Sequence, residues 1–399
     1  MVHVVVIGAY GSAGSVVADE LADEPGVELT LVDDGDPGGG LCILRGCMPS
    51  KEVLSAAAHR YQARHDHRVH GVPEVDLRDV VATKDEHVHA FAEHRRAAVH
   101  EMADRDGVEF VHEAARFVDD HTVAVGDRQL DADYVVLATG SSVNVPDLPG
   151  IEDVDYRTSA DVLDATEFGD SGVVLGFGYV GVELVPYLSE AAGMDLTVIE
   201  HDARPLDRAP DAIGDELLDI YREEFGVDVL TNTREQAVET TESGVRLTVE
   251  GGEGEEGSVT ADELFLFTGR RPTLDRLGLD RTELDPGGEW VADTMQARDD
   301  PRVFVPGDAN GERTLLHMAK EEGYLAGENI LADLRDDPLE GYDPLHHAVM
   351  FAGAGVYPYA SLGLTAEEAR EEGHEPVVVS RRAEDDGVFK TKDASRGLA

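Results

Sequence analysis

Cysteine, lysine and long apolar runs are all scarce in this chain. Two cysteines in 399 residues exclude a disulfide-stapled scaffold. They also exclude a zinc site built from several thiolates, which needs more ligands at close spacing. Lysine occurs five times, and 33 basic residues stand against 83 acidic ones, for a net charge of −50. Such a surface repels DNA, RNA and anionic membranes, so no nucleic-acid or membrane partner is expected. The acids run along the whole chain, and we expect adaptation to a very salty cytoplasm, where ions screen the repulsion. No apolar run approaches the ~18 residues needed to span a bilayer. The opening MVHVVVIGAY carries neither a basic n-region nor a cleavage site. A soluble, cytoplasmic protein is expected, with enough length and 42% hydrophobic residues for two or three globular domains.

Glycine, in contrast, is patterned. Residues 1–33 read as strand, helix, strand, with Gly8, Gly11 and Gly14 at the first turn and Asp33 ending the second strand. Tyr10 stands where the dinucleotide fingerprint G-x-G-x-x-G expects its second glycine. Asp33, about 20 residues on, is placed to bind a ribose hydroxyl. An ordinary strand-turn-helix would also fit these residues. A second unit starts at residue 172, with Gly176, Gly178 and Gly181 in full fingerprint spacing and Glu200 at the end of the next strand. Glu200 would accept from both ribose hydroxyls and repel a 2′-phosphate, favouring NAD(H) over NADP(H); Arg204 nearby softens that preference. DYVVLATGSS at 133–142 and DELFLFTGRRP at 262–272 both run from an apolar strand into Thr-Gly, a weak internal repeat. Two dinucleotide units in one chain point to electron transfer between them.

Residues 52–110 read as mostly helical, with His59, His65, His67, His70, His87, His89, His94 and His100 scattered through them. Their irregular spacing fits solvated helix faces better than a metal site, and no metal is expected. EGGEGEEGSV at 250–259 reads as an exposed acidic hairpin loop, and ADLRDDPLEGYD at 332–343 as a flexible linker.

Both cysteines lie in GGGLCILRGCMPSK, residues 38–51. A disulfide closing so short a loop would stabilise little, which leaves a dithiol that cycles with a disulfide. Pro49 suits the first helical position, putting Cys47 at a helix N-terminus whose dipole favours a thiolate. Cys42 is expected to be the more exposed, exchanging thiol. Gly38, Gly39, Gly40 and Gly46 would let backbone approach a flat cofactor, with Lys51 one turn into the helix. Two buried cysteines that happen to be close are the plain alternative.

These segments, with YVVLATGSS, GFGYVGVEL, LFTGRRPT and RVFVPGDANGERTLLHMA, resemble the pyridine nucleotide–disulfide oxidoreductases over nearly the whole chain. The resemblance implies an α/β fold of two Rossmann-like three-layer domains plus a partial α+β interface domain. An FAD domain (1–147 and 263–335) would be interrupted by an NAD domain (148–262), with 343–399 the incomplete interface domain. Gly8, Gly11, Gly14, Asp33, Gly40, Lys51, Ala115, Thr139, Gly140, Ser141, Gly307, Asp308, Leu316 and His317 would contact FAD. Gly176, Gly178, Gly181, Glu200 and Gly269 would contact NAD. Lys51 would pair with Glu183 at the flavin, and Tyr179 would cover the face that receives nicotinamide. Cys47 would form the charge-transfer contact, and Cys42 would exchange with a dithiol or disulfide substrate. The implied activity is most like that of dihydrolipoamide dehydrogenase. Reduction of mercuric ion or of a small-thiol disulfide is the alternative, and a flavin-binding redox sensor without turnover is a third.

Leu41, Leu44 and Arg45 depart from the family's usual Thr, Asn and Val, and Arg45 would tune the thiols or steer an anionic substrate. The sequence ends at GVFKTKDASRGLA, before the His-Glu pair that family members lend to a partner subunit. A truncated product, doubtful full activity and a weakened homodimer are therefore expected, with His346 and His347 structural.

Overall fold

A computed structural model describes residues 1–206, 208–252, 254–345, 347–391 and 396–398. The chain divides into two compact units, one formed by Met1–Met48, Glu86–Val143 and Arg270–Pro344, the other by Pro49–Asp85, Asn144–Gly269 and Leu345–Ala399.

The first unit is built on a parallel sheet in the order Val303–Phe304, Tyr134–Leu137, Val2–Ile7, Val27–Val32, Val108–Val111. The runs Val4–Ile7 and Tyr134–Leu137 at its centre are apolar without alternation, as strands covered on both faces must be. Val4, Val6, Leu29, Leu31 and Val136 enter one core, and Val5, Ile7, Val32, Val135 and Leu137 the other. The first core is closed by helices Ser12–Leu21 and Leu316–Leu334, which pack through small residues. A Cβ on Gly323 would lie 2.8 Å from the Ala13 carbonyl oxygen, so the two helices touch backbone to backbone there. An antiparallel meander, Ala115–Phe117, Thr122–Val125 and Arg128–Asp131, lies apart from this sheet.

The second unit repeats the plan. Its parallel sheet runs Asp228–Leu230, Asp195–Ile199, Ser171–Leu175, Glu263–Leu266, Arg157–Thr158. Strand Glu263–Leu266 stands against Ser171–Leu175 as Tyr134–Leu137 stands against Val2–Ile7. This sheet therefore claims residues that the sequence reading assigned to the returning FAD segment from 263, because three apolar positions, Leu264, Phe265 and Leu266, pair here with Val173, Val174 and Leu175.

Two loop readings change. The acidic hairpin has strands Gly244–Gly251 and Glu256–Ala261, so its loop is confined to 252–255, with Glu253 outside the described residues. The stretch 332–343 is not a free linker. Asn329 exchanges hydrogen bonds with the Glu340 backbone (2.8 and 2.9 Å), and the Tyr342 hydroxyl donates to Glu321 at 2.8 Å.

Toward the end, strands His347–Met350 and Tyr359–Leu362 pair antiparallel, and Met350, Ala352 and Ala354 join the second unit's core. His347 opens that pair with Nδ1 on the Leu345 carbonyl; His346 lies outside the described residues, as do 392–395 in the terminal segment. Among the described residues no helix is long and apolar enough to cross a membrane.

Candidate active site

In the first unit the strand Val2–Ile7 ends in Gly8, whose φ of +96° is open to glycine alone at low cost. A Cβ there would sit 2.3 Å from the Ala138 carbonyl oxygen, and one on Gly14 would sit 2.2 Å from that of Gly8. Close packing of strand, turn and helix thus fixes both glycines. Asp33 holds the turn from the neighbouring strand, accepting from Tyr10 N–H and Gly35 N–H, each at 2.9 Å. Burial raises its carboxyl above the ordinary range, and these two donors oppose the rise. The expected ribose acceptor is thus first a brace for the loop, with lone pairs left for a further donor.

Tyr10 does not block the loop. Its ring is buried against Phe110 and His100, and its hydroxyl meets His100 Nε2 at 2.8 Å. Room comes from Gly38, where a Cβ would fall 2.2 Å from the ring. The glycines around the cysteines therefore answer to the protein's own chain. Gly40, at φ +78°, would place a Cβ 2.9 Å from the Tyr10 carbonyl oxygen, and Gly46 one 3.0 Å from Cys42 Cα.

The dithiol follows at once. Cys42 lies in the short helix Leu41–Arg45, and Cys47 is the first residue of helix Cys47–His65. Pro49 takes the third helical position rather than the first, where its missing N–H is still one of the four with no intrahelical acceptor. The two cysteines form no disulfide, and their exposure is the reverse of the expected order, with Cys47 exposed and Cys42 half-buried. The hydrogen bond to Cys47, and then burial, push the Cys42 thiol far above its ordinary range, while the Arg95 cation pulls the other way. Arg45 is exposed at the end of its helix.

Across the sheet, Thr139 and Gly140 follow strand Tyr134–Leu137. The Thr139 hydroxyl oxygen is buried without a hydrogen-bond partner among the described residues, and Gly140, at φ +68°, has no atom within 4 Å of where a Cβ would point. Ser141 donates to Asp308 and takes a hydrogen bond from Arg270 Nε at 2.8 Å. Arg270 was not singled out from sequence; the Thr-Gly-Arg-Arg run was read only as part of a repeat. Asp308 sits in the turn Gly307–Asn310, which Glu322 holds from beneath by accepting from Gly307 N–H (2.7 Å) and Asn310 Nδ2 (2.9 Å). Glu322 is buried, and burial raises its carboxyl to about 7 despite those donors. Leu316 and His317 open the adjoining helix. Ala115 stands apart, paired with Val125 in the meander.

The second unit repeats the plan of the first loop. Gly176 has φ +94°, and its Cβ would lie 2.6 Å from the Phe267 carbonyl oxygen; one on Gly181 would lie 2.5 Å from that of Gly176. Glu200 accepts from Phe177 N–H (2.8 Å) and Asp202 N–H (2.9 Å), as Asp33 does from its loop. Gly178 and Gly269 have open space where a Cβ would point. An orphaned buried hydroxyl in one loop and open glycines facing outward in both are what a dinucleotide requires of its cradle. Arg204 is engaged by Asp215 at 2.6 Å and Asp211 at 3.5 Å.

Helix Tyr179–Glu190 leaves this loop with Tyr179 exposed and Glu183 one turn on. Glu183 receives Lys51 Nζ on both oxygens at 2.7 Å and Phe351 N–H at 3.1 Å. Lys51 Nζ also stands 4.5 Å from the Phe351 ring centroid, so the cation is fixed on two sides.

The sequence matches the family described as pyridine nucleotide-disulphide oxidoreductase over residues 2–323. It is 28% identical to a mercuric reductase of Bacillus cereus over 401 residues, covering 97% of this chain but only 61% of that protein. A mercuric reductase of Streptomyces lividans is 30% identical, with 92% of this chain and 77% of the relative covered. The dihydrolipoyl dehydrogenase of Halobacterium salinarum is 29% identical over 99% of this chain and 81% of its own length. Among solved structures, the HOCl-induced flavoprotein disulfide reductase RclA from Escherichia coli shares the fold, with a TM-score of 0.81 at 22% identity over 99% of this chain and 85% of that one.

Proposed function

The chain belongs to the pyridine nucleotide-disulphide oxidoreductases, and from that premise we propose that it is an FAD-dependent enzyme. It passes electrons between NAD(H) and a small-molecule or protein-bound dithiol or disulfide through Cys42 and Cys47. The observation that carries this reading is the dithiol two residues after Gly40, which is pressed onto the carbonyl of the first glycine loop.

Bound FAD supplies two-electron exchange between a nicotinamide hydride and the cysteine pair. The first loop, with Thr139, Ser141 and Asp308, is the set of residues that would hold it; the loop at Gly176–Gly181 would hold NAD(H). Glu200 is followed by His201 and Asp202, and Arg204 is taken up by Asp215 and Asp211. The Arg204 charge is thus already engaged, which supports NAD(H). Lys51, fixed by Glu183, would offer a cation to the flavin, and Tyr179 would cover the face that receives nicotinamide.

At the thiols the chemistry is exchange. The Cys42 thiolate attacks a substrate sulfur, forming a mixed disulfide and releasing one substrate thiolate, which takes up a proton. The Cys47 thiolate then attacks Cys42 sulfur, the Cys42–Cys47 disulfide forms, and the second substrate thiol leaves. The dithiol is oxidised and the substrate disulfide reduced; a dihydrolipoyl-type reaction runs in reverse. The greater exposure of Cys47 in the chain alone is what a sulfur reserved for the flavin face presents.

The test is Cys42→Ser. It should keep FAD and its reduction by NADH while losing disulfide turnover; unchanged turnover sinks the mechanism. A second reading, reduction of mercuric ion, is favoured by the names of two of the relatives. Mercuric-ion-dependent NAD(P)H oxidation, without dihydrolipoamide-dependent NAD reduction, would select it. A homodimer in a salt-rich cytoplasm is the setting this reading implies.

A further inference from the structure

Arg95 is a cation out of place. It lies on helix Leu77–Ala103, on the same stripe as the buried Val88, Ala92, Val99 and Met102. In a chain of net charge −50 it has no carboxylate partner among the described residues. Its Nη1 instead donates to Ser15 Oγ at 2.8 Å and to the carbonyl oxygens of Tyr10 and Gly11, each at 3.2 Å. The Tyr10 carbonyl is the atom onto which Gly40 is packed, two residues before Cys42. The neighbouring Arg96 donates to the Gly38 carbonyl at 2.7 Å, so this helix grips both the glycine loop and the start of the cysteine segment.

We propose that Arg95 is a positioning residue for the redox pair, its guanidinium held on the glycine loop as the fixed positive charge against which Cys42 gives up its proton. Only a thiolate can exchange, and Cys42 must ionise beside Cys47 while half-buried. The charged and titratable groups facing it are Cys47 from the following helix and Arg95 from this one. The Cys47 side chain holds the proton on Cys42; the Cys47 backbone and, after it, Arg95 oppose that hold, and the coupling of Arg95 to Cys42 is mutual. An arginine keeps its charge at any working pH, so it can bias Cys42 without titrating itself. Its backbone tethers, in place of a carboxylate, leave that charge undiminished.

This inference rests on the exchange role given to Cys42 above, and the experiment separates the two. In a Cys47→Ser background, which leaves Cys42 as the single thiol, the alkylation rate by iodoacetamide is followed against pH. The thiolate displaces iodide and forms a sulfur–carbon bond, so the rate reports Cys42 ionisation directly, with no disulfide turnover needed. Adding Arg95→Gln should raise the pH midpoint by about one unit, slowing alkylation near neutrality roughly tenfold. Arg95→Lys should restore most of it. An unchanged midpoint in Arg95→Gln overturns the proposal, as does equal slowing in Gln and Lys variants, which would make the contact structural. If Arg95→Gln does not fold, Arg95→Leu, which suits the apolar stripe, removes the charge instead: a midpoint raised by about a unit supports the charge effect, and an unchanged midpoint overturns it. Failure of Cys42→Ser to lose turnover would remove the exchange role whatever these rates show.

Discussion

Replacing Glu322 by glutamine should make the protein more stable at pH 8 and leave it little changed at pH 5. Glu322 is 2% exposed, and both hydrogen bonds recorded for it, from Gly307 N–H and Asn310 Nδ2, go to Oε2. Burial raises its carboxyl to about 7 from its ordinary value of 4.5. The folded state thus holds its proton more tightly than the unfolded chain. Its contribution to stability is fully present below the unfolded value and is lost as pH rises through about 7. A shift of that size corresponds to about 3 kcal/mol across the window. Glutamine keeps an acceptor for both donors and cannot ionise, so its unfolding free energy should lack this pH-dependent loss. Urea unfolding of both proteins at constant high salt, from pH 5 to 8, provides the assay. The wild-type minus variant difference cancels the titration of the many surface acids. It should move by 2–4 kcal/mol against wild type as pH rises from 5, levelling off above about 7. A difference that is flat with pH would mean that Glu322 is ionised throughout, and the account of the Gly307–Asn310 turn as held by a neutral acid would fall.

Two further outcomes test the second loop. Gly178→Ala places a methyl in open space, whereas Gly181→Ala drives one to 2.5 Å from the Gly176 carbonyl oxygen. The first should cost no more than about 1 kcal/mol of stability yet weaken NADH binding; the second should unfold at clearly lower temperature. Equal melting temperatures would refute the packing argument. Glu200→Gln keeps an acceptor for the Phe177 and Asp202 N–H groups but removes the charge. The ratio of kcat/KM for NADPH to that for NADH should rise roughly tenfold, and an unmoved ratio in steady-state assays would count against the ribose-clamp reading.

Local features of the site were readable from the sequence because they repeat at short spacing. Gly8, Gly11 and Gly14 after a β-branched strand, and Gly176, Gly178 and Gly181 after another, mark turns where backbone meets backbone. Strand-ending acids follow at fixed distance, although the structure shows Asp33 and Glu200 bracing loop N–H groups. Lys51 and Glu183 are 132 residues apart. Their pairing was expected from the family resemblance, since nothing in the local pattern of either segment points to the other. The relative exposure of the two thiols was misjudged for a similar reason. It depends on what packs around helix Leu41–Arg45 and on a helix that starts at Cys47 instead of Pro49.

Arg95, Arg270 and Glu322 were missed, and two of the three left a signal. Helix Leu77–Ala103 was read as a solvated face because Arg, His, Asp and Glu dominate its composition, but composition carries no direction. Val88, Ala92, Val99 and Met102 recur at intervals of three, four and seven, and Arg95 falls on their line. Glu322 does the same in helix Leu316–Leu334, among Met318, Ala319, Leu325, Ala326 and Ile330. A charge on an apolar stripe must find a partner or pay for desolvation. In this chain one found the carbonyls of a glycine loop and the other the N–H groups of a turn. Arg270 lies in a three-residue strand, where no period can be drawn, and its bonds to Ser141 span 129 residues. The charged residues that complete the first loop are thus the ones whose helical phase contradicts their polarity, and that contradiction is visible before any fold is known.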